Sequence, residues 1–116
     1  MYNEERTVLC ASSAYEKKYY LNEQFEQLPQ GIKDELKIMC VLYTEDIGGV
    51  LSIEYDEEGN LELISSADEG DLLYDEIGSV LKVKQLRREK RDLFESLEMY
   101  YKVFYLGEEF TDDSGH

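Results

Sequence analysis

The chain has 116 residues, 27 acidic against 12 basic, and a formal net charge of −15. That length fits one domain able to bury its own core. The charge argues against DNA, RNA or an anionic membrane as partner, since each would repel it.

The two cysteines, Cys10 and Cys40, lack zinc-ligand spacing. The start Met-Tyr-Asn-Glu-Glu-Arg has neither the basic residues nor the apolar run of a signal peptide, and no segment is apolar over a membrane-spanning length. A reducing cytoplasm is the expected setting. Cys40 reads as a small buried hydrophobe, and a Cys10–Cys40 disulfide is open but unsupported by the sequence.

Residues 1–14 are polar and small and read as a flexible N-terminal segment, ahead of a single domain at 15–107 and an acidic flexible tail at 108–116. Tyr15, Tyr19, Tyr20 and Leu21 favour an extended segment, with Tyr19 and Leu21 on one face, as a third strand beside a later hairpin. Asn22 caps a short helix that has Glu23 in its first turn. Pro29 suits the first position of the next helix. Leu28, Ile32, Leu36, Met39, Tyr43 and Ile47 recur at steps of three and four along one helical face. Ile38, Cys40, Val41 and Leu42 add apolar surface, so this helix is expected to be packed on most sides. A strand over residues 36–43 is the competing reading, and Gly48 supplies the helix stop.

Leu51, Ile53 and Tyr55 then alternate with Ser52 and Glu54, as in a half-buried strand. Asp56 to Asn60 is turn chemistry, and Leu61 and Leu63 continue the inward face on the way back. Asp71 is expected to start a helix carrying Leu72, Leu73, Ile77, Val80 and Leu81, with a bend or break near Gly78–Lys82. A long C-terminal amphipathic helix follows, ending near Gly107. Its stripe is Val83, Leu86, Leu93, Leu97, Tyr100 and Phe104, bordered by Phe94 and Tyr101. The expected fold class is α+β: a small antiparallel sheet, made of the central hairpin plus a third strand, covered by helices.

Three runs carry a resemblance: Glu35 to Gly49, Tyr74 to Gly78, and Tyr100 to Gly107. They resemble an uncharacterised family, a domain of unknown function, of small acidic proteins from clostridial gut bacteria. The likeness covers most of residues 15–109. It implies a bacterial, cytoplasmic setting. It brings no activity, cofactor or site residue onto this chain.

Catalytic chemistry finds little to work with. His116 is the only histidine and is the last residue, which leaves no histidine-based triad or HExxH zinc site. No phosphate-binding glycine motif occurs. Asp56, Glu58 and Asn60 superficially resemble a calcium loop, but Gly59 is misplaced and Ala67 stands where the bidentate glutamate belongs. The chain is therefore read as not an enzyme and without a cofactor.

Two clusters remain. Asp68, Glu69, Asp71, Asp75 and Glu76 form an acidic cluster. If helical, Asp71 and Asp75 share a face and form a weak metal or small-ligand candidate, against the bland reading of a helix start enriched in acids. Residues 82–91 hold six of the twelve basic residues, and Lys84, Arg87, Arg88 and Arg91 lie on the far side of the long helix. They read as an interaction face for an acidic partner or a second copy, or as a solvated face. The stripe from Val83 to Phe104 is either a homodimer seam or a cover for the chain's own sheet. The functional expectation is a non-catalytic interaction module with a protein partner or itself as a homodimer. The alternative is a small-ligand or divalent-metal binder using the cluster at 68–76.

Overall fold

A computed structural model describes residues 6–108. Strands β1 (Thr7–Ser13), β2 (Lys18–Leu21), β3 (Val50–Tyr55) and β4 (Leu61–Ser66) form one antiparallel sheet in the order β2-β1-β3-β4. Helices α1 (Gln30–Ile47), α2 (Glu76–Glu89) and α3 (Arg91–Phe104) complete the described fold, with a short 3-10 turn at Glu23–Phe25. This is the expected α+β architecture. His116 and the rest of the acidic tail beyond residue 108 lie outside the described residues, as do residues 1–5.

The flexible segment expected at 1–14 is corrected over most of its described part. Thr7–Ser13 is a strand, and it lies inside the sheet between β2 and β3. The register slips between Val8 and Cys10, which leaves Leu9 as an extra residue. Such a bulge breaks the two-residue alternation, so Leu9 and Cys10 are both buried although adjacent. Asn22 closes the β1–β2 hairpin at this point: its backbone N–H donates to Leu9 O and its side-chain amide to Val8 O. Its Oδ1 also accepts from Gln24 N, the expected cap. The described fold therefore includes Thr7–Ser13, and β2 pairs with β1 rather than with the hairpin.

Residues 36–43 are helical. Leu36, Met39, Tyr43 and Ile47 of α1 are buried, as its periodicity requires. Ile38 and Leu42 are exposed, so the expectation of packing on most sides is corrected: α1 covers the sheet with one face. Two contacts define that seam. Cys10 Sγ lies 3.9 Å from Cys40 Sγ, and Ser12 Oγ lies 2.9 Å from Thr44 Oγ1. After α1 the chain turns through Gly48 and Gly49 with φ of 92° and 70°. A Cβ on Gly49 would sit 2.2 Å from Ser66 O, so this position admits no side chain.

The hairpin of β3 and β4 forms as predicted, with Leu51, Ile53, Tyr55, Leu61 and Leu63 buried. The opposite sheet face is more polar. Tyr20, Ala11, Ser52 and Ile64 form one cross-strand row there, and Arg6 bridges Glu54 and Glu62 at 3.0 and 2.6 Å.

The expected long C-terminal helix is two helices that meet at Lys90. A continuous helix over the same residues would run on the order of 40 Å, against roughly 20 Å for a six-residue strand. The break at Lys90 lets Leu86 face α1 while Phe94, Leu97 and Tyr101 turn onto the sheet. Phe94 and Tyr101 are buried rather than bordering the stripe. The bend expected near Gly78 is absent, because Gly78 lies in the first turn of α2 and its N–H donates to Asp75 Oδ1 at 2.8 Å.

Tyr55 fixes α3. Its ring stacks on Tyr101 with centroids 4.0 Å apart, and its hydroxyl donates to Leu97 O at 2.8 Å. Burial pushes its phenol well above the ordinary range, so it remains a donor. Tyr55→Phe keeps the stack and loses the hydrogen bond. In urea denaturation it is expected to cost about 1 kcal/mol, against roughly 2–5 kcal/mol for Leu97→Ala. Equal losses for the two variants would contradict this division of roles.

Candidate interaction surface

The segment between β4 and α2 gathers the acidic cluster. Asp71 does not begin a helix: it lies in a loop and α2 starts at Glu76, so Asp71 and Asp75 do not share a helical face. The pairing expected from their spacing is corrected for a physical reason, since each carboxylate caps its own stretch of backbone. Asp71 Oδ1 accepts from Leu73 N, and Asp75 Oδ1 accepts from Gly78 N. Among the described residues, no group of three or more His, Cys, Asp or Glu side chains converges in a metal-binding arrangement.

A residue far away in sequence holds the loop. The Tyr15 hydroxyl donates to Asp71 Oδ2 and accepts from Asp68 N at 2.9 Å. At the base of the loop, Asp75 N donates to Ile47 O, and the Tyr43 hydroxyl donates to Ser65 Oγ at 2.7 Å. Ser65 Oγ in turn lies 2.8 Å from the Tyr74 hydroxyl. The hydrogen bond from Tyr15 and the N–H of Leu73 hold the Asp71 carboxyl below its ordinary value of 3.8.

With the backbone so fixed, the apolar residues of this stretch point outward. Leu72 and Leu73 are 94% and 91% exposed and Ile77 is 76% exposed, with Val80 and Leu81 also open. The residues expected along one helix instead form a ridge in solvent, with Leu72 and Leu73 in the loop and the other three on α2. It flanks an open depression of about 1110 Å³ that Asp68, Glu69, Asp71 and Glu76 also line. The side of α2 facing the protein is made by Ser79, Val83 and Leu86.

The basic residues divide by role. Lys82 reaches Asp46 at 4.0 Å and Lys90 reaches Glu35 at 3.0 Å, which braces α2 against α1. Arg87 is exposed, but its guanidinium donates to Leu61 O at 2.9 Å. Lys84 and Arg88 lie exposed on α2, while Arg91 opens α3, so the four do not form one continuous helical face. Of the stripe, Leu86 and Leu97 are core residues and Val83, Leu93 and Tyr100 pack against the core, whereas Phe104 is 71% exposed. The stripe mainly covers the chain's own sheet.

Sequence reasoning missed one grouping and the burial of one residue. Lys17, Lys18 and Lys37 line one groove of about 650 Å³ beside the buried Ser12–Thr44 pair. No local pattern links Lys37 to the other two. Cys10, expected in a polar segment, lies fully buried beside Cys40. Its contact and burial push the Cys40 thiol above the ordinary range, which leaves Cys40 a poor nucleophile.

The Tyr15–Asp71 contact depends on an ionised carboxylate. Because the Asp71 pKa is lowered in the folded protein, the contact is complete above the ordinary aspartate range and fails as pH falls through the lowered value. Tyr15→Phe is expected to raise hydrogen exchange at the Asp68 amide at neutral pH. Wild type should approach the variant as pH drops below 3.8. Equal exchange in both proteins at neutral pH would show that Tyr15 does not hold the loop.

No helix among the described residues is long and apolar enough to cross a membrane. Neither a curated protein nor a solved structure gives a significant match to the chain. The family described as "Family of unknown function (DUF6145)" matches residues 6–109.

Proposed function

The chain belongs to this family, and we propose that it is a non-catalytic protein–protein interaction module of the bacterial cytoplasm whose docking surface is the ridge at residues 72–81. One observation carries this reading: five large apolar side chains stand more than half exposed within ten residues. Together they present on the order of 600 Å² of apolar surface, the upper end of what a soluble monomer leaves uncovered. The acidic rim disfavours an anionic membrane as the cover and favours a protein partner with basic flanks. The buried thiols of Cys10 and Cys40 fit a reducing cytoplasm.

The alternative, a metal or small-ligand binder using Asp71 and Asp75, has less support because both carboxylates are engaged in local capping. An enzymatic reading has less again. Cys40 is protonated and buried, and the Tyr43–Ser65–Tyr74 hydroxyl chain includes no base to activate it.

The reading is tested with Leu73→Asp and Ile77→Asp combined. Both side chains are exposed, so folded stability is expected to change by less than about 1 kcal/mol for the pair. Crosslinking mass spectrometry in producing cells should show the wild-type crosslinks at residues 68–88 disappearing from the variant. Crosslinks that map to the open sheet face and survive the substitutions would overturn the assignment.

A further inference from the structure

Building on the interaction-module reading, we propose that the occupant of this surface is a second copy of the chain, with the two α2 helices antiparallel about a two-fold axis near Val80. The argument begins with the solvent face of α2. Ile77, Leu81, Lys84 and Arg88 follow one another at steps of four, three and four, so they share the side opposite buried Ser79 and Leu86. Glu76, Val80 and Lys84 align in the same way at steps of four.

This face is polarised along its length. Its entry carries the acids of residues 68–76, its middle is apolar, and its exit carries Lys84 and Arg88. Neither of those two bases makes an ion pair among the described residues, whereas Lys82 and Lys90 do.

A surface of this pattern is complementary to itself when reversed. A two-fold axis perpendicular to the helix sets the apolar middle against its own copy. It brings Glu76 beside Lys84 of the second copy and the acidic loop beside that copy's Arg88. The same patch serves on both chains and the assembly closes at two, whereas a head-to-tail arrangement of the same ends would propagate. The apolar ridge with its charged flanks approaches the roughly 800 Å² per partner typical of stable complexes. The net charge of −15 on each copy does not decide the matter. At physiological ionic strength charges beyond about 8 Å are largely screened, so the opposed charges at the contact outweigh distant acids.

The test is a charge exchange read by native mass spectrometry and analytical ultracentrifugation across a concentration series. Glu76→Lys alone sets Lys against Lys84 at both symmetric contacts, and Lys84→Glu alone sets Glu against Glu76. Each is expected to weaken the dimer about tenfold, in line with exposed charge pairs counted twice. Mixing the two variants, one of them labelled with ¹⁵N, restores opposite charges at both contacts. The mixture should form the heterodimer selectively, with an affinity close to wild type. Ile77→Asp should abolish the dimer while circular dichroism stays unchanged.

A wild-type protein that remains a monomer at all concentrations overturns the proposal, as does a dimer indifferent to these changes. The broader reading fails separately, if crosslinks in cells avoid residues 68–88 altogether. A monomer that still loses a foreign partner on Ile77→Asp would refute the second copy alone.

Discussion

The seam between β1 and α1 is the contact on which the remaining elements depend. Cys10 meets Cys40 there and Ser12 meets Thr44, all of them buried. The hydroxyls are admissible in this dry place because they bond to each other, and Thr44 also reaches the Cys40 and Val41 carbonyls. With α1 laid across the middle strands, α2 packs beside α1 and α3, and α3 reaches the sheet at β4. Lys82 and Lys90 brace α2 against α1, and Tyr55 draws α3 down through its stack on Tyr101 and its bond to Leu97.

Because each helix meets the rest of the protein on one side, the side it turns away decides its surface. For α3 that surface is mostly polar, with Met99 and Phe104 as exceptions. For α2 it is acidic at the entry, apolar in the middle and basic at the end. The loop leading into α2 has its backbone committed to Tyr15, Ile47 and its own aspartates, so Leu72 and Leu73 have no core position within reach. The exposed ridge is a consequence of how the fold closes.

Much of this was legible in the sequence, and the failures have physical causes. The β3–β4 hairpin alternates cleanly and turns at Asp56–Asn60. The face of α1 repeats at helical steps over five turns. The strand β1 stayed hidden because its bulge places Leu9 and Cys10 on the inside together, which cancels the alternation that marks a strand. The break at Lys90 has no proline or glycine to announce it; it comes from the sheet's dimensions and from Glu35, which lies 55 residues away. Residues 71–75 mimic a helix start in composition, yet Tyr15, 56 residues upstream of Asp71, holds them as a loop. Sequence reasoning found the acidic and basic clusters of the candidate surface but missed its apolar centre, because large apolar residues at helical steps are ordinarily assigned to a core.

The claim that the 72–81 ridge is a covered surface is tested most directly by hydroxyl-radical footprinting of dilute and concentrated protein. The account predicts that oxidation of Leu72, Leu73, Ile77 and Leu81 falls as concentration rises, while the exposed Ile38 and Leu42 on α1 and Tyr20 on the open sheet face keep their reactivity. Uniform reactivity of the ridge at every concentration, or protection confined to the sheet face, would contradict it.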